Sequence, residues 1–207
     1  MAFSRDERSR YAGRPSLKLQ KNELRKQYLE KRKAIPQEQK SEYDSAICKR
    51  IMATASFRYS TTVLVYSALP SEIDLTELVN ASYAMGKRVA FPRCVPDTPF
   101  MNFHFVDDVS ALTKGSFSIM EPAADAPIWR PSSNDRAICI IPAVIFDAEG
   151  HRIGYGKGYY DRYLSGKPIQ RIGVIYDQLM VKELPHGKYD LSVDFIVSEK
   201  KLITVKK

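Results

Sequence analysis

Ten consecutive apolar residues, Ala137 to Phe146 (AICIIPAVIF), constrain the fold more than any other segment. A half-exposed strand alternates polar and apolar residues, so an unbroken apolar run suits a strand covered on both faces, as in a parallel sheet between helices. Pro142 has no N–H for a neighbouring strand, and the strand is therefore expected to end, bulge or lie at an edge there. Strand-like and helix-like stretches alternate before it. Thr61 to Leu69 is β-branched and apolar, and Leu75 to Met85 reads as a helix with Asp74 as N-cap, Glu77 three residues on and Gly86 as its stop. Arg88 to Cys94 reads as the next strand. Strand, helix, strand predicts a parallel pair with a crossover helix. Further strands are expected from Phe100 to Val106, Arg171 to Tyr176, Val193 to Ser198 and Leu202 to Val205, and a short helix near Tyr159 to Leu164. Residues 107–135 read as loop-rich. His104 is read as an ordinary strand residue, because no second metal ligand stands at a usable spacing from it.

The N-terminal part has a different character. Residues 1–16 are polar and aperiodic and are expected to be a disordered leader, with a single domain over 17–207. From Leu17 to about Lys33, Leu17, Leu24, Tyr28 and Leu29 mark an amphipathic helix. Lys21 and Arg25 are four apart on it, and can converge on one anion. Pro36 breaks this helix, and a second runs from Gln37 to about Ala55 through Tyr43, Ile47, Ile51 and Met52. The first 50 residues hold 14 Lys and Arg against 7 Asp and Glu, which leaves only +1 of the formal +8 for the rest of the chain. Such a basic end serves as a solvated helix face, a nucleic-acid arm or a clamp on an anionic small molecule. The three cysteines, Cys48, Cys94 and Cys139, are widely spaced with no C-x-x-C. They argue against a disulfide framework and a zinc site, and for a reducing compartment. No run has the apolar length of a membrane span and the N-terminus has no secretory h-region, so a cytoplasmic protein without a membrane partner is expected.

The chemistry concentrates in Arg152-Ile-Gly-Tyr-Gly-Lys-Gly-Tyr-Tyr-Asp-Arg162. Glycines at alternate positions let the backbone turn tightly and bring its N–H groups against a ligand, Lys157 adds a mobile ammonium, and a helix N-terminus follows. This is phosphate-binding logic, although the spacing is neither G-x-x-x-x-G-K-[ST] nor G-x-G-x-x-G.

From Ile141-Pro142 through Phe146-Asp147, Gly150, Arg152, Gly154, Gly156, Lys157, Gly158, Tyr159, Tyr160 and Asp161, the chain resembles the signature of the 5-formyltetrahydrofolate cyclo-ligases, or 5,10-methenyltetrahydrofolate synthetases. The resemblance extends to Lys21 and Arg25, Ser71-Glu72-Ile73, Phe91-Pro92-Arg93 and Glu121-Pro122. It implies an α/β fold, a three-layer α/β/α sandwich with a largely parallel, Rossmann-like sheet. It also implies an ATP- and Mg2+-dependent cyclisation of 5-formyltetrahydrofolate through a phosphorylated formyl intermediate. Lys21, Arg25 and the loop residues Arg152, Ile153, Gly154, Tyr155, Gly156, Lys157, Gly158, Tyr159 and Tyr160 would bind ATP, with Arg152 and Lys157 catalytic. Ser67, Glu72, Phe117 and the loop from Tyr155 to Tyr159 would line the folate pocket. Asp161 and Asp194 would bind Mg2+, as carboxylate oxygens suit a hard cation. Tyr155 stands where some members have arginine, which removes a cation that Lys157 would replace; Phe117 stands near where some have tryptophan. The resemblance gives a folate as partner, with no nucleic acid, and a monomer or weak homo-oligomer is expected.

Plainer readings stay open at each residue. Asp161 could be a helix-surface carboxylate paired with Arg162 or Lys157, and Glu72 a solvated loop residue. Two rivals stand beside the enzyme. A nucleic-acid-binding module would use the basic first 50 residues, and an enzyme for another phosphorylated ligand would use the same loop.

Overall fold

The computed structural model describes residues 16–116 and 119–206 of the chain; the expected leader, except Ser16, and Phe117 lie outside the described residues. In chain order the strands are β1 (Thr62–Leu64), β2 (Arg88–Cys94), β3 (Met101–Phe105), β4 (Thr113–Lys114), β5 (Met120–Glu121), β6 (Ala137–Pro142), β7 (Ile145–Asp147), β8 (Arg152–Ile153), β9 (Gln170–Val174), β10 (Met180–Val181), β11 (Phe195–Val197) and β12 (Leu202–Thr204). Seven of them form one sheet in the order β12-β11-β9-β6-β1-β2-β3. Its four inner pairings are parallel and its two outer ones antiparallel. The helices are α1 (Leu17–Lys33), α2 (Gln37–Met52), α3 (Ala55–Tyr59), α4 (Thr76–Ala84) and α5 (Tyr159–Leu164).

The connection β1-α4-β2 steps across the sheet in one direction and β6-α5-β9 in the other, so right-handed crossovers put α4 and α5 on opposite faces. Contacts agree with that division. Ser45 of α2 donates to Glu77 of α4 at 2.7 Å, while Tyr163 of α5 packs on Phe103 of β3 with ring centroids 5.0 Å apart. The three-layer α/β/α architecture follows. At its centre Ile138, Cys139, Ile140 and Ile141 are buried between β1 and β9, as the apolar run demanded.

That run is divided. β6 ends at Pro142, which has no N–H to continue the ladder, and the chain restarts at Ile145 in a small separate sheet, β10-β7-β8. Three other expectations need correction. The strand over Thr61 to Leu69 is only Thr62–Leu64; Val65 still donates to Ala90 at 3.0 Å, and the next residues leave the carboxyl edge of the sheet. The second helix stops at Met52, and Thr54 caps the separate α3 through Phe57 N–H. No capping box starts α4. Asp74 accepts from Thr76 N–H at 2.9 Å, whereas Glu77 is turned to Ser45 on α2, because a tertiary partner competes for its carboxylate. His104 is buried and its Nδ1 bonds Ala126 O at 2.7 Å, a strand residue as expected.

Candidate active site

Between β6 and β1 the sheet has a topological switch point: the chain leaves β1 toward β2 and leaves β6 toward β9. Crevices at the carboxyl ends of strands on either side of such a point are where open α/β sheets bind ligands. Tyr66 after β1, Pro142 and Ala143 of the β6 end, and Ile175 and Tyr176 after β9 border a small cavity there with Arg32, Glu72, Ile73 and Val174. It has a volume of about 10 Å³, room for one water. A second, open cleft of about 480 Å³ lies between the turn after β2 (Cys94 to Pro99), Ser116, Lys157 and Tyr159. Only this one has the size of a ligand pocket.

The glycine-rich loop reaches both places because its two ends are fixed. Asp147, fully buried, accepts N–H bonds from Glu149, His151 and Leu184, which sets the β7–β8 hairpin. Ile153 joins Val144, Ile145 and Leu184 in a small apolar cluster against which Leu24, Tyr28 and Leu29 of α1 pack. This cluster aims α1 at the loop. Arg25 Nε donates to Gly154 O at 2.6 Å, and Lys21 pairs with Asp190. Partial burial pushes the Asp190 carboxyl up, but the Lys21 ammonium and the Gly187 N–H outweigh it and hold the group below its ordinary range. Gly156 has φ +90° and a Cβ there would stand 3.1 Å from the Arg25 guanidinium; only glycine gives both the turn and the close approach. Gly158, at φ +69°, starts α5.

A buried chain of polar groups joins α1 to the loop. Arg32 is 4% exposed. Its Nη1 donates to Ala143 O at 3.2 Å, and its Nη2 donates to Ser71 Oγ and to the Tyr155 hydroxyl. The Tyr155 hydroxyl also stands beside the Glu72 carboxylate, which accepts from Leu69 N–H at 2.8 Å. Burial pushes the Glu72 carboxyl up, while Leu69 N–H, Arg32 and Tyr155 pull it back only in part. Arg32 Nε is buried and has no hydrogen-bond partner among the described residues. Sequence reasoning missed Arg32. Its signal was helical spacing, for residues 21, 25 and 32 fall on one face of a 3.6-residue helix. The cation that meets the Tyr155 hydroxyl comes from α1.

The other expected residues are distributed as follows. Lys157 and Tyr159 line the open cleft, and Tyr159 stands beside the Cys94 thiol, which burial pushes up. The Tyr160 hydroxyl is buried and has no hydrogen-bond partner among the described residues. Arg152 is turned inward, donating to Leu191 O and to Asp161 Oδ1, both at 2.9 Å. Asp161 also takes Leu191 N–H on Oδ1, so its bonds among the described residues leave Oδ2 for another partner. Asp194 sits at the opposite, amino-terminal end of β9, where it accepts from Arg171 N–H at 2.7 Å. Ser67 donates to Met120 O. Arg93 donates to Pro122 O at 2.6 Å and stands 3.7 Å from Glu121, joining two sequence pieces 28 positions apart. No helix among the described residues is long and apolar enough to cross a membrane.

The family model for the 5-formyltetrahydrofolate cyclo-ligase family matches residues 17–199. A 5-formyltetrahydrofolate cyclo-ligase of Escherichia coli is 29% identical over 180 residues, 84% of this chain and 97% of that protein. One of Mycoplasma genitalium is 30% identical over 181 residues, 86% and 96%. Among solved structures, the 5,10-methenyltetrahydrofolate synthetase of Aquifex aeolicus superposes with a TM-score of 0.78 at 30% identity, covering 90% of this chain and 93% of that one. That of Mycoplasma pneumoniae gives 0.69 at 26% identity, covering 86% and 98%.

Proposed function

The chain belongs to the 5-formyltetrahydrofolate cyclo-ligase family and is an enzyme of 5,10-methenyltetrahydrofolate synthesis, and we propose that it drives the ring closure with ATP and Mg2+. A formamide oxygen is a poor leaving group. Transfer of the γ-phosphoryl of ATP to it releases ADP and leaves a phosphorylated iminium carbon. N10 of the folate attacks that carbon, the carbon–oxygen bond breaks to release phosphate, and N10 gives up its proton. Such a sequence needs positioning and charge stabilisation rather than a protein nucleophile.

The observation that carries this reading is the meeting of two cationic groups of α1, Arg25 and Arg32, with the glycine-rich loop and Glu72 at the switch point. Backbone N–H groups of residues 154–158, Lys21, Arg25 and Lys157 serve the phosphates. Ile153 and Arg152 hold the loop in place, Arg152 acting through Asp161 and Leu191. Tyr159 and Tyr160 close its end, and Ser67 and Glu72 serve the folate, a carboxylate being suited to the amino and ring N–H groups of a pterin. The Oδ2 of Asp161 fits Mg2+, which takes one or two carboxylate oxygens and completes its shell with water and phosphate; Asp194, expected from the sequence as a second ligand, is held by Arg171 at the other end of β9 and is not brought to it. The metal when bound neutralises charge on the phosphates. A near-UV assay of the methenyl chromophore with 5-formyltetrahydrofolate, ATP and Mg2+ tests the whole reading. Signal that requires all three supports it, and no signal from folded protein overturns it.

Glu72 receives the pterin as a carboxylate, so folate affinity is lost as pH falls through its pKa. Because burial raises that pKa, the loss is expected to begin above the ordinary Glu range of about 4.3. Arg32 opposes the rise. In Arg32→Met the acid limb of kcat/KM should move to higher pH, with KM for the folate raised about tenfold, a cost of about 1.4 kcal/mol. Arg32→Lys, which retains the charge, should restore part of the profile. An acid limb unchanged in Arg32→Met would separate Arg32 from Glu72.

A further inference from the structure

Two of the three histidines of the chain stand outside this site and against each other. His151, on the β7–β8 hairpin, and His186, on the segment after Leu184, have ring centroids 3.7 Å apart and planes 7° from parallel. Glu149 of the same hairpin adds a carboxylate, and one ligand atom from each of the three residues lies within 4.8 Å of the others. From this juxtaposition we propose that Glu149, His151 and His186 form a binding site for a first-row divalent transition-metal ion of the Zn2+ class.

The donor set decides the class of ion. Two imidazole nitrogens and one carboxylate oxygen suit Zn2+, Ni2+ or Cu2+, whereas Mg2+ takes oxygen ligands. The site is therefore chemically separate from the Mg2+ carboxylate proposed above. Three protein ligands leave one tetrahedral position for water. The ring of His151 is held from behind: its Nδ1 is buried without a well-formed hydrogen bond and lies 3.4 Å from Oδ2 of the fully buried Asp147. A carboxylate behind a histidine is the arrangement that orients a metal-binding imidazole and raises its basicity. Nδ1 also stands 4.0 Å from Glu149 Oε2; with Nδ1 kept for Asp147, His151 would offer Nε2 to the ion.

Parallel stacked rings do not point their lone pairs at one spot. Donors about 2.0–2.2 Å from one tetrahedral zinc are roughly 3.3 Å apart, so binding requires His186 to turn out of the stack and Glu149 to swing inward. Both are exposed and can do so without disturbing the core. The closed site ties the hairpin that enters the glycine-rich loop to the segment that positions Asp190, the partner of Lys21.

Equilibrium dialysis of the reduced full-length protein against Zn2+ alone, in a buffer that does not chelate, tests the site without reference to turnover. One ion per chain is expected, with affinity at least about tenfold weaker in His186→Ala, whose exposed side chain can be removed without loss of the fold. Excess Mg2+ should not displace the ion. Substitution by Co2+ should give d–d bands of a nitrogen and oxygen shell. No binding by the wild-type protein, equal affinity in a folded His186→Ala protein, or a sulfur-to-cobalt charge-transfer band, which would place the ion on a cysteine such as Cys94, would each overturn the proposal.

Discussion

Lys157→Ala is expected to lower ATP-dependent turnover by about 10²- to 10³-fold, the loss that follows removal of one preorganised group stabilising transition-state charge. The side chain lines the open cleft, on a loop whose ends are held by Arg25 to Gly154, Arg152 to Leu191 and Asp161, and Ile153 in the satellite cluster. The melting temperature should therefore stay within about 2 °C of the parent, the shift that less than 1 kcal/mol produces in a domain of this size. Steady-state kinetics supply the check. A fall in kcat with little change in the KM for the folate assigns Lys157 to the phosphoryl group. Unchanged kcat in a folded variant would remove it from the reaction.

Gly173→Ala acts on stability instead. Gly173 is in β9, paired with Ile141 on one side and Ile196 on the other, and a Cβ there would fall 2.3 Å from Cζ of Phe146. Phe146 is fully buried and cannot move aside without displacing its neighbours. Overpacking of this kind costs about 1–3 kcal/mol, which lowers Tm by roughly 2–10 °C. Thermal unfolding of Gly173→Ala, Phe146→Leu and the double variant checks the cause: the double variant should be less destabilised than the sum of the two, because the smaller ring-free side chain leaves room for the methyl group. Additive effects would mean that the two positions do not touch.

Legibility in the sequence followed the range of the interactions. β2 and α5 lie where the sequence puts them, since a β-branched start, a helix stop and a glycine before the helix are local signals. The apolar run announced a doubly covered strand and Pro142 announced its end. Glu77 was misread because its carboxylate has a partner on α2, which no local pattern reveals. The glycine-rich loop was visible as a cluster of residue types, but the inward turn of Arg152 and the path from Arg32 through Tyr155 to Glu72 depend on residues 39 to 123 positions apart meeting in space. The meeting of Tyr155 with a cation became readable only with α1 in place.

The docking of α1 has a consequence for the order in which the molecule loosens. This helix carries Lys21, Arg25 and Arg32, and its apolar residues Leu24, Tyr28 and Leu29 pack on the small cluster around Ile153, with Tyr28 of these three also touching the large core of the sheet. Segments attached through few buried apolar contacts open at a lower free energy than the global unfolding of the domain. Amide hydrogens of α1 are therefore expected to exchange ahead of those of β6, through an opening that separates its cations from the loop while the sheet stays whole. A ligand held by those cations binds only the closed form, and by mass action it raises the free energy of that opening in proportion to the logarithm of its concentration. The exchange protection of the helix that carries the charges should thus rise with the filling of the site.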